Sequence, residues 1–238
     1  MKKVKYFSVL LSCLLLVGCN NSTTDTTSNN NKNSTNTTNN ASYITDNVKI
    51  TSADDALKRL KDGNSRFVNN HSELINVTSE RREQLVDGQS PYAVVISCSD
   101  SRVTPSLIFN VGLGELFDIR IAGNVVDNDA LGSIEYGVEH LHSPLIVVIG
   151  HEKCGAVTAA YDRLKNGTPV EGNINSLVDK IEPHIKDSDS LNDAIEDNAE
   201  AVLEQIEADP IVAHLISEGK VKAVKAHYSL DGTVTFDD

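Results

Sequence analysis

Two uninterrupted apolar runs constrain the fold of this 238-residue chain most, Ala-Val-Val-Ile at 93–96 and Leu-Ile-Val-Val-Ile at 145–149. Runs without alternating polar positions are typical of strands that are covered on both faces of a sheet. Such a sheet needs helices above and below it, and helical patterns lie between and after the two runs. We therefore predict an α/β domain with a mainly parallel central β-sheet flanked by helices.

The pattern of apolar residues places the other elements around these runs. An amphipathic helix is predicted over 52–68, where Ser52 can act as the N-cap with Asp55 three residues later. The acidic stretch 187–200 is expected to be a solvated helical face. Further helices are predicted over 79–86 and 129–141, after Cys154 and within 175–218, and further strands at 116–121, 221–228 and 233–236.

The first 18 residues fit a bacterial export signal. Three lysines precede an apolar run over 6–17, which is shorter than the about 20 residues that a transmembrane helix needs. The run ends in Leu-Val-Gly-Cys at 16–19, which resembles the lipobox of bacterial lipoproteins. That resemblance implies that residues 1–18 are removed and that Cys19 is lipidated. The alternative is an ordinary secretory signal with an incidental cysteine.

Residues 19–42 are predicted to form a disordered tether, and the folded domain is expected over 43–238. The stretch 20–40 is almost entirely Asn, Thr and Ser, so it buries too little apolar surface to offset its chain entropy. The formal charge of −13 argues against nucleic acid and against an anionic lipid surface as partners. We expect an extracytoplasmic protein that is held on the cell membrane by the acyl chains of Cys19.

Only two of the four cysteines lie in the expected folded domain, Cys98 and Cys154. In an exported protein a cysteine pair suggests a disulfide. Their surroundings suggest a different role, because each belongs to a polar cluster that directly follows one of the two apolar runs.

The first cluster is Cys-Ser-Asp-Ser-Arg, from Cys98 to Arg102, and the second is His-Glu-Lys-Cys, from His151 to Cys154. The carboxyl ends of strands are where open α/β sheets bind ligands. Cys98 and Asp100 point to one side of an extended segment, and one helical turn brings His151 and Cys154 together. The sequence therefore predicts that two thiols, an imidazole and a carboxylate converge.

Thiolate and imidazole ligands together favour zinc, and three of them leave one tetrahedral position open, as in catalytic sites. A closed structural zinc site with four ligands and a plain disulfide between Cys98 and Cys154 are the alternatives. Neither accounts for the presence of Arg102 two residues after Asp100.

The two clusters, CSDSR at 98–102 and GHEKCGAV at 150–157, resemble the paired signature of the β-class carbonic anhydrases. RIAGN at 120–124 and SIEYG at 133–137 are also similar to that family, and the similarity extends from about residue 52 to the C-terminus. The resemblance implies a β-carbonic anhydrase-like fold and one Zn²⁺ per chain. It also implies reversible hydration of CO2 to bicarbonate by zinc-bound hydroxide, in a homodimer or higher even oligomer whose pockets are shared between chains.

The resemblance implies roles for individual residues. Asp100 and Arg102 match the catalytic Asp–Arg pair, and in some members this Asp becomes a fourth zinc ligand. Val95 replaces a Trp that belongs to a regulatory bicarbonate site in one subgroup, which favours a constitutively open site. The implied zinc ligands are Cys98, His151 and Cys154. The implied substrate-binding residues are Gln89, Phe117, Tyr136 and Gly155.

Two other functions fit the same motifs. A hydrolase of a CO2 analogue such as carbon disulfide or carbonyl sulfide would carry the same zinc ligands. A non-catalytic zinc-binding lipoprotein would also carry them, although metal binding alone does not need the Asp100–Arg102 pair. A redox function is disfavoured because Cys98 and Cys154 lack Cys-x-x-Cys spacing.

Overall fold

We describe residues 49–237 of a computed structural model of the chain. The predicted signal peptide, Cys19 and the tether lie outside the described residues, so these expectations stay predictions. Among residues 49–237, no helix combines the length and the apolar character needed to cross a membrane.

A five-stranded sheet forms the centre of the domain, in the order β2-β1-β3-β4-β5. The first four strands are parallel to one another, and β5 is antiparallel to β4. The strands are β1 (Ala93–Ser97), β2 (Leu116–Arg120), β3 (Leu145–His151), β4 (Lys222–Tyr228) and β5 (Val234–Asp237). Every residue of β1 and β3 is buried, which confirms the prediction from the two apolar runs.

Helices cover both faces of the sheet. They are α1 (Ala53–Val68), α2 (Ser79–Gln84), α3 (Pro105–Ile108), α4 (Asn128–Glu135), α5 (Gly155–Asn166), α6 (Ile174–Ile185), α7 (Leu191–Glu207) and α8 (Pro210–Ser217). Ser52 caps α1 as predicted, since its hydroxyl accepts from the Asp55 N–H at 3.1 Å. The continuous helix predicted over 129–141 is wrong in one respect, because α4 ends at Glu135 and a π-helical turn, Tyr136–His140, follows.

Alternate residues of β1 enter the two halves of the core. Val95 packs with α1 on one face, and Val94 packs with α4 and α7 on the other. A third apolar cluster lies at the carboxyl edge of the sheet and contains Cys98 and Cys154 together with residues of α5 and α6. The two cysteines are therefore enclosed by apolar side chains, where water competes little for a ligand.

A buried Asn64 attaches α1 to the rest of the domain. Its Nδ2 donates to the carbonyls of Ile108 at 3.0 Å and Gly232 at 2.8 Å, and its Oδ1 accepts from the N–H of Val234 at 2.9 Å. Three backbone groups, each at least 44 residues from Asn64 in sequence, are thus satisfied by one side chain, which joins α1 to the end of α3 and to the turn between β4 and β5.

Candidate active site

Three predicted ligands meet at the carboxyl edge of the sheet. Cys98 follows β1, His151 is the last residue of β3, and Cys154 precedes α5. All three are buried, and their potential ligand atoms lie within 4.8 Å of one another. The Sγ atoms of Cys98 and Cys154 are 4.0 Å apart and both thiols are free, so the disulfide alternative does not describe this structure.

The turn between His151 and Cys154 differs from the predicted helical turn. Lys153 adopts a φ of 56°, in the left-handed region, and Cys154 has the extended conformation of an N-cap. Strand β4 holds this turn in place, because the Glu152 N–H donates to the Tyr228 carbonyl at 2.9 Å. The convergence predicted from the spacing is correct, but a strained turn rather than a helix produces it.

The imidazole of His151 is oriented as a metal ligand would be. Its Nδ1 lies 2.9 Å from the Glu152 carbonyl, which can only accept, so Nδ1 carries the hydrogen and Nε2 holds a free lone pair. Nε2 is buried and has no hydrogen-bond partner among the described residues. Buried polar atoms are rarely left unpaired, and a zinc ion between Nε2 and the two thiols would satisfy this one. The residues present therefore fit zinc.

The two thiols are electrostatically unequal. Cys154 donates toward the Sγ of Cys98, which lowers the pKa of Cys98, and the Gly123 N–H at 3.3 Å from the same sulfur contributes in the same direction. Hydrogen bonding to Cys98 and burial together raise the pKa of Cys154. Because zinc binds thiolates, a bound dication would take the place of the thiol proton between the two sulfurs.

Asp100 is turned toward Arg102 rather than toward the three ligands. Its Oδ1 accepts from the Arg102 Nε and backbone N–H, both at 2.9 Å, and its Oδ2 accepts from the guanidinium at 2.7 Å. The Arg102 guanidinium holds the pKa of Asp100 well below its usual range. Of the four groups predicted to converge, three do so in the described part of the chain, and Asp100 stands beside them as a carboxylate.

Arg120, which had no predicted role of its own, fixes the backbone of the first cluster. Its guanidinium donates to the carbonyls of Cys98 at 3.2 Å and Asp100 at 2.7 Å. In return, the hydroxyl of Ser99 donates to the Arg120 carbonyl at 3.1 Å. Arg120 lies in the RIAGN segment, so the family resemblance was the only sequence signal that pointed to it.

Gln89, Phe117 and Tyr136 do not lie near the three ligands of their own chain. Phe117 pairs with Val94, which is roughly 13 Å from Cys98 at the rise of an extended strand. Tyr136 lies 6.2 Å from Phe117 between ring centroids and is 48% exposed. Gln89 is exposed and precedes β1. These three residues therefore lie toward the amino edge of the sheet.

Gly155 is the only predicted substrate-binding residue beside the cluster. It begins α5 directly after Cys154, it is exposed, and a Cβ at this position would meet no atom within 4 Å. Because backbone N–H groups at the start of a helix lack helical partners, the Gly155 amide is available to an anion.

Comparisons with known proteins agree with this site. A family model described as carbonic anhydrase matches residues 93–234. Carbonic anhydrase 2 of Mycobacterium tuberculosis is 38% identical over 182 residues, which cover 74% of this chain and 88% of that protein. The carbonic anhydrase of Mycolicibacterium smegmatis is 47% identical over 130 residues, or 55% of this chain and 63% of that protein. A solved β-carbonic anhydrase of Coccomyxa, in complex with acetazolamide, has a TM-score of 0.59 and 27% identity, covering 75% of this chain and 85% of that chain.

A mainly parallel sheet with a Cys–His–Cys cluster at its carboxyl edge is typical of an α/β zinc enzyme. The chain belongs to the carbonic anhydrase family, in its β class. The predicted fold class, the enzyme class and the zinc cofactor are thereby confirmed.

Proposed function

We propose that this enzyme catalyses the reversible hydration of CO2 to bicarbonate and a proton, with Cys98, His151 and Cys154 as the ligands of one zinc ion. The observation that carries the proposal is the buried, unpartnered Nε2 of His151, which lies with two thiols beside an ionised Asp100. When bound, zinc supplies a Lewis acid that lowers the pKa of a coordinated water, an effect established for carbonic anhydrases in general.

Asp100 orients the attacking water in this mechanism. Oδ1 accepts two hydrogen bonds from Arg102, whereas Oδ2 accepts one and retains a free acceptor position. Because Arg102 keeps the carboxylate ionised, Oδ2 can accept a hydrogen bond from water and fix its lone pair toward the carbon of CO2. The Gly155 N–H would donate to the bicarbonate oxygen that forms.

We also propose that Gln89, Phe117 and Tyr136 complete the substrate pocket of a neighbouring chain in a homodimer or higher even oligomer. They lie toward the amino edge of the sheet, so they cannot enclose the ligands of their own chain. The pair of rings formed by the half-buried Phe117 and the exposed Tyr136 would supply the apolar wall that a nonpolar gas requires.

Stopped-flow CO2 hydration with a pH indicator tests the activity on the full chain, with zinc content measured on the same preparation. We expect rapid hydration near pH 8 with about one zinc per chain, and loss of both in Cys98→Ser. A Lys58→Ala variant, which removes an exposed ion pair with Asp62 within α1, is the control and should retain both. Stoichiometric zinc without hydration would reject the proposal, and carbon disulfide and carbonyl sulfide would then be the substrates to test.

For location, we propose that Cys19 carries the acyl chains of a lipoprotein and holds the enzyme on the outer side of the cell membrane. The support is the apolar run at 6–17, followed by Gly-Cys and a stretch without aliphatic residues over 20–40. Metabolic labelling with a fatty acid should mark the wild-type chain and leave Cys19→Ser unmarked. Equal labelling of both, or recovery of the wild type in the cytoplasm, would reject the anchor.

A further inference from the structure

A chain of hydrogen bonds leads from helices α6 and α7 to the sulfur of Cys98. Asn198 of α7 is fully buried, and its Nδ2 donates to the Gly123 carbonyl at 2.9 Å. Its Oδ1 lies 3.0 Å from Nδ1 of His184, in α6. The N–H of Gly123 in turn donates to the Sγ of Cys98 at 3.3 Å.

Each group in this series of hydrogen bonds can act in only one way, as the donor or as the acceptor of its bond. The Gly123 carbonyl can only accept, so the amide nitrogen of Asn198 must face it and the amide oxygen must face His184. Nδ1 of His184 is therefore the donor. Both ends of the Asn198 amide are satisfied, and its orientation is determined.

The turn that contains Gly123 needs support from outside. Gly123 has a φ of 71° and the next residue, Asn124, has a φ of 45°, so two consecutive residues occupy the left-handed region. The left-handed region is less favourable for Asn124 than for Gly123, and neighbouring groups that pack against the turn stabilise it. A Cβ on Gly123 would lie 2.8 Å from Cδ1 of Ile181 and 3.0 Å from Cβ of Ala156, which shows how closely the turn packs against α5 and α6.

We infer that Asn198 is a positioning residue for the metal site. It holds Gly123 so that the Gly123 N–H donates to the Cys98 thiolate, and this hydrogen bond sets how strongly that sulfur binds zinc. Asn198 reaches the ligand only through Gly123. The inference rests on the proposed role of Cys98 as a zinc ligand, and it adds the helices α6 and α7 to the structure that determines zinc affinity.

Asn198→Asp tests this inference, because it keeps the shape of the side chain and removes the donor to Gly123. Asn110→Asp is the matched control, since it removes the same kind of donor from a buried Asn whose hydrogen-bond partners are Arg66 and Glu73. Zinc affinity is measured by competition with a chromophoric chelator on the full chain. The sulfur-to-cobalt charge-transfer band of the Co²⁺-substituted protein reports on the thiolates directly.

We expect zinc affinity to fall by about tenfold in Asn198→Asp, which is a typical loss when a hydrogen-bond partner in the shell around the metal ligands is removed. The charge-transfer band should shift as well. Asn110→Asp should leave both readings unchanged. Wild-type affinity and spectrum in Asn198→Asp, or an equal change in the two variants, would overturn the inference.

If Asn198→Asp does not fold, His184→Ala tests the positioning role of Asn198 instead. His184 is half-buried, so its truncation is tolerated more readily. It removes the donor to Asn198 Oδ1, and a shift of the charge-transfer band is expected, whereas an unchanged band would overturn the inference. A wild-type chain that binds no zinc would instead reject the proposed function, so the two failures are distinguishable.

Discussion

Removal of zinc should allow Cys98 and Cys154 to form a disulfide. Their Sγ atoms are 4.0 Å apart and must approach by about 2 Å to reach the length of an S–S bond. The two residues are 56 positions apart, and a loop of that length gives a disulfide stabilisation of about 4 kcal/mol in the chain-entropy model. Strain in the turn at Lys153 would reduce this value, so it is an upper limit.

Dioxygen is the oxidant in this reaction. The two thiols give up two electrons and two protons, which convert dioxygen to hydrogen peroxide. The assay strips zinc from the full chain with a chelator, exposes it to air, and identifies the linked Cys98 and Cys154 peptides by mass spectrometry. Urea denaturation with and without a thiol reductant measures the stabilisation. Zinc should rebind only after reduction, and a zinc-loaded sample exposed to air is the control. Unlinked peptides, with full rebinding of zinc in the absence of reductant, would refute the reasoning.

Three further outcomes are expected. Asp100→Ala should retain about one zinc per chain but lose about 100-fold or more in turnover, because the water is no longer oriented; stopped-flow rates that match the wild type would contradict the role of Asp100. Asn64→Ala should lower the free energy of unfolding by about 3 kcal/mol, since two carbonyls and one N–H lose their partner; a loss below about 1 kcal/mol in urea denaturation would show that water replaces the side chain. Glu196 Oε1 lies 2.5 Å from Nδ1 of His227 and raises the pKa of that histidine above 6.5. Their ion pair therefore stabilises the folded state fully below pH 6.5, and this contribution is lost as pH rises through the folded-state pKa. The stability deficit of His227→Gln should therefore be larger at pH 6 than at pH 9, and a deficit that is independent of pH would contradict the pairing.

The strands were predictable where burial leaves a direct mark on composition. β1 and β3 are enclosed on both faces and must be apolar at nearly every position, so their sequence has little freedom. The turn at Lys153 was not predictable, because its left-handed conformation is imposed by β3, β4 and α5 together rather than by Lys153 itself. The π-helical turn after α4 likewise has no sequence signal that we can identify.

The candidate site also contains residues that the sequence predicted and residues that it did not. The convergence of Cys98, His151 and Cys154 was predictable because residues with metal-binding side chains follow the two buried apolar runs, and parallel strands end at one edge of the sheet. Asn198 was missed because it lies within the acidic stretch 187–200, which was expected to be a solvated face. Its partner Gly123 is 75 residues away, and both atoms that Gly123 contributes belong to the backbone, which leaves no side-chain pattern to recognise.

The separation of the ligands from Gln89, Phe117 and Tyr136 has a genetic consequence. In a symmetric dimer each site would draw its ligands from one chain and its apolar wall from the other. A chain with Cys98→Ser and a chain with Phe117→Asp would each be inactive alone. Co-expressed, they would form a heterodimer in which one site receives both intact halves. Such interallelic complementation would restore activity at one of the two sites of each heterodimer. Two defective genes would then yield an active enzyme without reversion of either mutation.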